Sequence, residues 1–415
     1  MMGVLERLEL PPMGSHELGT EKTPVDHYIS PEFFELEKRH IFAKSWLMVG
    51  RESDVRNPGD YVLHQVEPLS ASVIIVRGKD AVLRAFHNAC SHRGAQIVNA
   101  PCGKARGGLV CPFHGWAYGF DGKLLNVPGQ ETFGSLNLDD EKLRPVSVDV
   151  WGGFVFINLD PSPVHSLHEY FAQLGDAFDR YLANPKWSWS YGWRSSFKAN
   201  WKFHIDAQVE GYHVDQNHRN TIGGNIPSDC CRPYAFPDSV GVPGGVGVYL
   251  GPDPTAGLNT PVATLSARFG ATSPYTKPEK RFEADGGEGV LRTEHPLWVF
   301  DNYLLFPNVV MFVQKGQLYI QRTTPISADE CIWEVDFYHT NKITNFGEMF
   351  SSEQGRIQMR DVVSEDLSTA EGIHANFKSG AITEISFSAQ EVALRAFTKA
   401  LMRATGQKAE AEVAA

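Results

Sequence analysis

Hydrophobic and polar positions divide the chain into stretches of different period. Ser30-Pro31 reads as an N-cap with proline at the first helical position. Phe33, Phe34, Leu36, Ile41 and Phe42 then give one apolar side as far as Trp46, which predicts a packing helix. From Trp46 the pattern shortens to apolar runs at Tyr61-Val62-Leu63, Ser72 to Val76, Ala81 to Phe86 and Phe154 to Leu159. Turn residues bound them at Asn57-Pro58-Gly59-Asp60, Arg77-Gly78-Lys79-Asp80 and Trp151-Gly152-Gly153. Many short strands predict a small all-β domain over residues 45–162, preceded by a segment with a helix at 1–44. Asp160-Pro161-Ser162-Pro163 reads as its exit. Residues 163–415 form a second domain, with a helix over His165–Tyr181 and a Trp-rich passage at Trp187, Trp189 and Trp193. Strand patterns follow at Asn302–Val313, Gln317–Thr323 and Cys331–Tyr338. A closing helix is announced by the capping box Ser388-Ala389-Gln390-Glu391 ahead of Leu394, Phe397 and Leu401. The expected class is α+β, an all-β N-terminal domain plus a C-terminal domain with an antiparallel sheet and flanking helices. Residues 220–296, rich in Gly, Pro, Thr and Ser, read as loops able to roof a pocket. Residues 1–29 read as a surface segment and Gln407 to Ala415 as a frayed tail.

Composition narrows the function classes. The chain has 415 residues, 42% of them hydrophobic, enough for two cored domains. A formal net charge of −11 argues against nucleic acid or an anionic membrane as the main partner. No stretch approaches the roughly eighteen apolar residues of a membrane span, and the start carries no signal-like apolar segment. Six cysteines in so long a chain do not make a disulfide framework. A cytoplasmic, reduced protein is the expectation.

Four residues carry candidate metal chemistry in the first domain. Cys90-Ser91-His92, with Arg93-Gly94 after it, and Cys111-Pro112-Phe113-His114-Gly115-Trp116 are separated by eighteen residues counted from Arg93 to Val110. Two thiolates and two imidazoles suit either tetrahedral zinc or a [2Fe–2S] centre with Cys on one iron and His on the other. Zinc fingers tend to pair like with like, whereas here each clamp is mixed. Each loop can therefore give one ligand to each of two irons, which favours the cluster.

This motif pair resembles the Rieske centre of the non-haem iron ring-hydroxylating oxygenases, in their large (alpha) subunit. The resemblance continues at Asn200-Trp201-Lys202 and at Glu210-x-x-His213-x4-His218, which look like that family's iron-binding helix. A mononuclear O₂-activating iron wants two His and one carboxylate on one face. On spacing alone His213 and His218 are weak evidence. Five residues turn about 140° on an ideal helix, so the helix must end or distort between them. The resemblance assigns them to the iron, with a third ligand in the helix beginning at Val362. Asp366 is the first choice by its place in that pattern, Glu365 the second and Asp361 the third.

The resemblance implies further expectations. Cys90, His92, Cys111 and His114 hold a Rieske [2Fe–2S] cluster, and His213, His218 and Asp366 hold a mononuclear non-haem Fe(II) that uses O₂ as co-substrate. Glu210 stands where the family carries an electron bridge, usually Asp. It would bond a Rieske His of a neighbouring subunit, His114 by the family's pattern, and His213 of its own. That implies a ring-shaped homotrimer without a beta subunit, fed by a separate NAD(P)H reductase, with or without a ferredoxin. The expected reaction is oxygenation of a small organic substrate, first an aromatic one by ring dihydroxylation or monooxygenation. Glu at position 210 also resembles the branch that oxidises choline, betaine or carnitine, and Asp206-Ala207 departs from the family's frequent Glu-Asn. A pocket is drawn from Gln208, Trp298, Phe300, Leu305, Phe306 and Phe312. The competing classes are a Rieske electron carrier, which needs no second iron, and a zinc-stabilised binding module.

Overall fold

A computed structural model describes residues 18–223, 226–249, 260–269, 295, 297–314, 316–340 and 343–407. The expectations for the first seventeen residues, for most of the loop region after 249 and for the tail from 408 lie outside the described residues. The chain forms two compact units: Lys38–Tyr170, and Met1–Glu37 with Phe171–Ala415.

The first unit is built on a seven-stranded sheet. Its order is Leu47–Arg51, Phe154–Asn158, Pro145–Trp151, Leu83–His87, Ala71–Arg77, Asp60–Val66 and Cys102–Lys104. Neighbouring strands are antiparallel throughout. Each apolar run in the sequence is one of its strands. A smaller sheet, Leu109–Val110, Ala117–Tyr118 and Leu124–Asn126, carries the second Cys/His clamp. Ile74, Phe86, Trp116, Tyr118 and Leu143 pack with Cys90 and Cys111 in one buried cluster. The sulfurs thus belong to the core, while the loop tips reach outward.

The second unit also has a seven-stranded antiparallel sheet. Its order is Ser188–Phe197, Cys331–His339, Gln317–Pro325, Val309–Gln314, Trp298–Leu305, Gly244–Tyr249 and Cys231–Ala235. The sequence reads Asn302–Val313 as one strand. It is two, because Pro307 has no N–H for a ladder and sits in the turn between them. The Trp-rich passage is the edge strand Ser188–Phe197, and the Gly-rich region contributes two further strands and the helix Pro261–Phe269.

Helices lie around this sheet. The expected helix over His165–Tyr181 is broken into Leu167–Tyr170 and Gly175–Leu182, and Gly175 takes φ +73° at the break, where glycine has no Cβ to clash. Phe346–Lys378 is a single helix of 33 residues, started by Asn345, whose side chain accepts from the Glu348 N–H. The closing helix Val392–Thr405 follows the capping box of Ser388 and Glu391 and ends at Gly406 with φ +70°. No helix among the described residues is long and apolar enough to cross a membrane.

The first helix holds a feature that periodicity does not show. Ser30 caps Pro31–Leu36 as read, and a π-helical stretch, Glu37–Phe42, continues it. Glu37 is fully buried, 2.6 Å from the fully buried Lys202 Nζ, and accepts the Trp201 indole N–H at 3.0 Å. This ion pair ties the first helix to the start of Lys202–Gln208.

Candidate metal centres and substrate pocket

The two Cys/His loops are copies of one another. In the first, the Cys90 N–H donates to Ala95 O at 2.9 Å and the Gly94 N–H to Cys90 O at 2.8 Å. In the second, Cys111 donates to Trp116 O at 2.8 Å and Gly115 to Cys111 O at 3.0 Å. Gly94 and Gly115 both take φ +75°. Each loop thereby turns its Cys inward and its His outward. Both thiols are buried and free of disulfides. His92 is half-buried and His114 exposed, with ring centroids 4.9 Å apart. Trp116 stacks under His92 at 4.8 Å. Tyr118 Oη accepts the Ser91 N–H at 3.1 Å and lies 3.1 Å from Cys90 Sγ and 3.0 Å from Ser91 Oγ. Burial, then the Cys90 contact, pushes the Tyr118 pKa up, so the hydroxyl stays a donor. Two sulfurs inside and two imidazoles outside, on matched loops, fit a [2Fe–2S] group with Cys on one iron and His on the other.

The histidines of the second unit stand at a break in the chain. Lys202–Gln208 ends, Val209 to Tyr212 are non-helical, and Val214–Asn217 is a single turn with His213 as its N-cap and His218 as its C-cap. The break precedes His213 and the turn stops at His218, so the two histidines stand at the two ends of one short turn and not within a continuous helix. It also corrects the placing of Glu210, which lies in the break and not on a helix with His213. A Cβ at Gly211 would collide with Cys231, so only glycine allows this close approach.

His213, His218 and Asp366 converge. Their nearest atoms all lie within 4.8 Å of one another. The two Nε2 atoms are 3.1 Å apart, and Asp366 Oδ1 is 3.5 Å from His213 Nε2 and 3.0 Å from His218 Nε2. Cis ligands at about 2.1 Å from one metal would be roughly 3 Å apart, so the triangle has the right size. The other ring nitrogens are taken. His213 Nδ1 meets Glu210 Oε1, and His218 Nδ1 meets Glu365 Oε2 at 2.7 Å. Donating Nδ1–H to a carboxylate turns the Nε2 lone pair toward the centre. Burial opposes charge on His213, but Glu210 and Asp366 prevail and pull its pKa up to about 9. The cluster of acids calls for a cation. Glu365 therefore stands behind His218 while Asp366 faces the centre; Asp361, the third choice, is half-buried and pairs with Arg360.

Amides hold Asp366 in place. Gln208 Nε2 donates to its Oδ2 at 3.1 Å and Asn217 Nδ2 to its Oδ1 at 2.8 Å. Gln208 Oε1 accepts from Gln321 Nε2 at 3.0 Å. Gln321 Oε1 lies 3.1 Å from His204 Nε2 and 3.2 Å from the Trp333 indole, both as donors. His204 Nδ1 then accepts from Thr323 Oγ1 at 2.8 Å, and burial lowers its pKa to about 4, keeping it neutral. Sequence reasoning reached Gln208 only as a pocket residue. It missed Asn217, Gln321 and His204, because no local pattern marks a side chain whose partner comes from another strand.

A cavity of about 160 Å³ opens beside the three converging residues. Gln208, Phe300 and Phe312 line it as expected. Trp298, Leu305 and Phe306 do not; they are buried in the core. An aromatic stripe crosses the sheet along its wall. Phe300 to Phe312, Phe312 to Tyr319 and Tyr319 to Phe337 are each 4.4 Å between ring centroids.

The chain belongs to the ring-hydroxylating oxygenase alpha subunits: residues 182–407 match the catalytic domain of that family and residues 45–144 match the Rieske [2Fe–2S] domain. It is a Rieske-type oxygenase, which works with a [2Fe–2S] cluster, a mononuclear non-haem iron and O₂. The carnitine monooxygenase oxygenase subunit of Escherichia coli (strain K12) is 29% identical over 86% of this chain and 84% of its own. The benzene 1,2-dioxygenase alpha subunit of Pseudomonas putida is 32% identical over 52% and 48%. In fold, the chain is similar to a quaternary ammonium Rieske monooxygenase, with TM-score 0.71, 22% identity and coverage of 96% and 99%. It is equally similar to naphthalene 1,2-dioxygenase from Rhodococcus sp., with TM-score 0.71, 20% identity and coverage of 92% and 94%.

Proposed function

We propose that this oxygenase acts on a quaternary-ammonium compound, in place of the aromatic substrate that was the first expectation. The observation that carries this reading is the wall of the cavity beside His213 and His218. Glu210 lines it together with the aromatic stripe. A quaternary ammonium has no N–H to donate, so it is held by π faces and by acidic charge. Glu in place of the usual Asp at position 210 supports the same branch. So does the long match to a carnitine monooxygenase subunit.

In this reading residues 45–162 form the cluster-bearing domain and residues 163–415 the iron-bearing one. Cys90, His92, Cys111 and His114 hold the cluster, and His213, His218 and Asp366 hold the iron. When bound, the cluster supplies single electrons and the iron activates O₂. Glu210 and Glu365 keep the two imidazoles in the Nδ1–H tautomer. Gln208 and Asn217 fix the Asp366 carboxylate, and Val214 and Ile222 limit water around it. Glu210 also faces His114 of a neighbouring subunit in a homotrimer, and a separate NAD(P)H reductase, directly or through a ferredoxin, supplies the electrons.

The test is a single turnover. Iron-loaded protein is reduced without oxygen, mixed with quaternary amines, aromatic acids and polycyclic aromatics, and exposed to ¹⁸O₂. Label in a hydroxylated or cleaved amine is the expected product. Label in a ring diol or phenol would replace this reading with the aromatic one, which the benzene dioxygenase similarity favours.

A further inference from the structure

The end of the cavity formed by the long helix is polar and under-bonded. Ser352, Arg356, Met359, Val362 and Asp366 recur every three or four residues on Phe346–Lys378, so one face of that helix runs from the iron ligands along the cavity. Arg356 lies ten positions before Asp366, about 15 Å along the axis. Around it, several buried polar atoms find no hydrogen-bond partner among the described residues: Arg356 Nε, Ser352 Oγ and both ring nitrogens of His339. Ser352 is 4% exposed and His339 7%. Buried polar atoms are normally satisfied, and each one left open costs free energy. Four on one cavity wall mark a place that a ligand completes.

Three of the four atoms also agree in sign. Arg356 is always charged. Its Nη1 is held on the rim side by Glu353, and Tyr191 lies under the guanidinium at 5.3 Å, which leaves Nε on the buried side. Ser352 has a hydroxyl to donate. His339 is kept neutral by burial and then by Arg356, with a pKa of about 4, and a neutral imidazole offers one N–H. Three donors, one of them carried by a fixed cation, suit an acceptor-only group.

We infer that Arg356, Ser352 and His339 form a carboxylate seat at the end of the cavity away from the iron. Resting on the reading above, this makes the substrate a zwitterion. Its ammonium end lies toward Glu210 and the aromatic stripe, and its carboxylate lies on Arg356. The helix spacing asks for an elongated molecule, so a longer trimethylammonio acid should bind better than the shortest.

Titration calorimetry on the full iron-loaded chain tests the seat with three kinds of probe. These are trimethylammonio carboxylates of two to six carbons, the alcohols that match them, and aromatic or aliphatic acids with no ammonium. Arg356→Gln should weaken carboxylates roughly 10- to 100-fold and leave the alcohols within about twofold. Ser352→Ala, a smaller change, should weaken the same acids by less, with the cluster absorbance and the circular dichroism of both variants unchanged. Arg356-dependent binding of ammonium-free acids alone would keep the seat and remove the quaternary-ammonium reading. Alcohols and acids binding alike in wild type and variant would keep that reading and overturn the seat. Failure of every acid to bind, or equal losses for acids and alcohols, would also overturn it.

Discussion

At Cys90–Trp116 the four candidate ligands come from two loops of one conformation, each closed by its own backbone hydrogen bonds and a left-handed glycine. At the second candidate centre, His213 and His218 flank a single helical turn, Asp366 comes from the long helix far downstream, and Gln208, Gln321 and His204 hold that carboxylate through a chain of side-chain bonds. The first arrangement is local and repeats; the second exists only after the sheet and the long helix have packed. Local geometry survives a distant change, whereas a converging site fails with any of its supports.

The sharpest break of this comparison is Asp366→Ala. It should release the mononuclear iron and lower turnover by more than the 10–100-fold typical of an outer partner, while the cluster absorbance stays unchanged. Cys111→Ser should do the reverse, removing the cluster spectrum and leaving iron at the other centre by elemental analysis. Loss of both metals in either variant would contradict the independence of the two constructions.

Next in size is Lys202→Met, which leaves Glu37 buried without its cation. Removing one partner of a buried pair costs about 3–5 kcal/mol, read as a lower thermal midpoint. Glu37→Leu in the same chain should recover much of that loss. If the double variant is no better than the single, the Lys202–Gln208 helix is held by packing and not by this pair.

The smallest effect is in the pH dependence. His204 has a folded pKa of about 4, below the ordinary 6.5, so its neutral form is the folded one. Its contribution is complete above pH 6.5 and is lost as pH falls from 6.5 toward 4, up to about 3 kcal/mol over the full range. His204→Gln should therefore flatten the fall in melting temperature between pH 7.5 and 5.5. Parallel curves for the two proteins would show that His204 is not the proton-linked support.

The sequence by itself determined what covalent neighbours decide. The mixed clamps at Cys90-x-His92 and Cys111-x-x-His114, the short apolar runs of the first sheet, the Ser30-Pro31 start and the Ser388–Glu391 capping box are all written within a few residues. Backbone turns and caps are set by side chains one to five positions away. The period of 3.6 asked that the helix end or distort between His213 and His218, and the turn that joins them does end at His218. Tertiary structure decided what no period encodes. It made Asp366 face the centre and put Glu365 behind His218, it buried Glu37 against Lys202, and it brought Gln208, Asn217 and Gln321 to one carboxylate. It also set Ser352, Arg356 and His339 around one end of a cavity. Each of these joins residues from different elements, and their contacts exist only when packing brings those elements together.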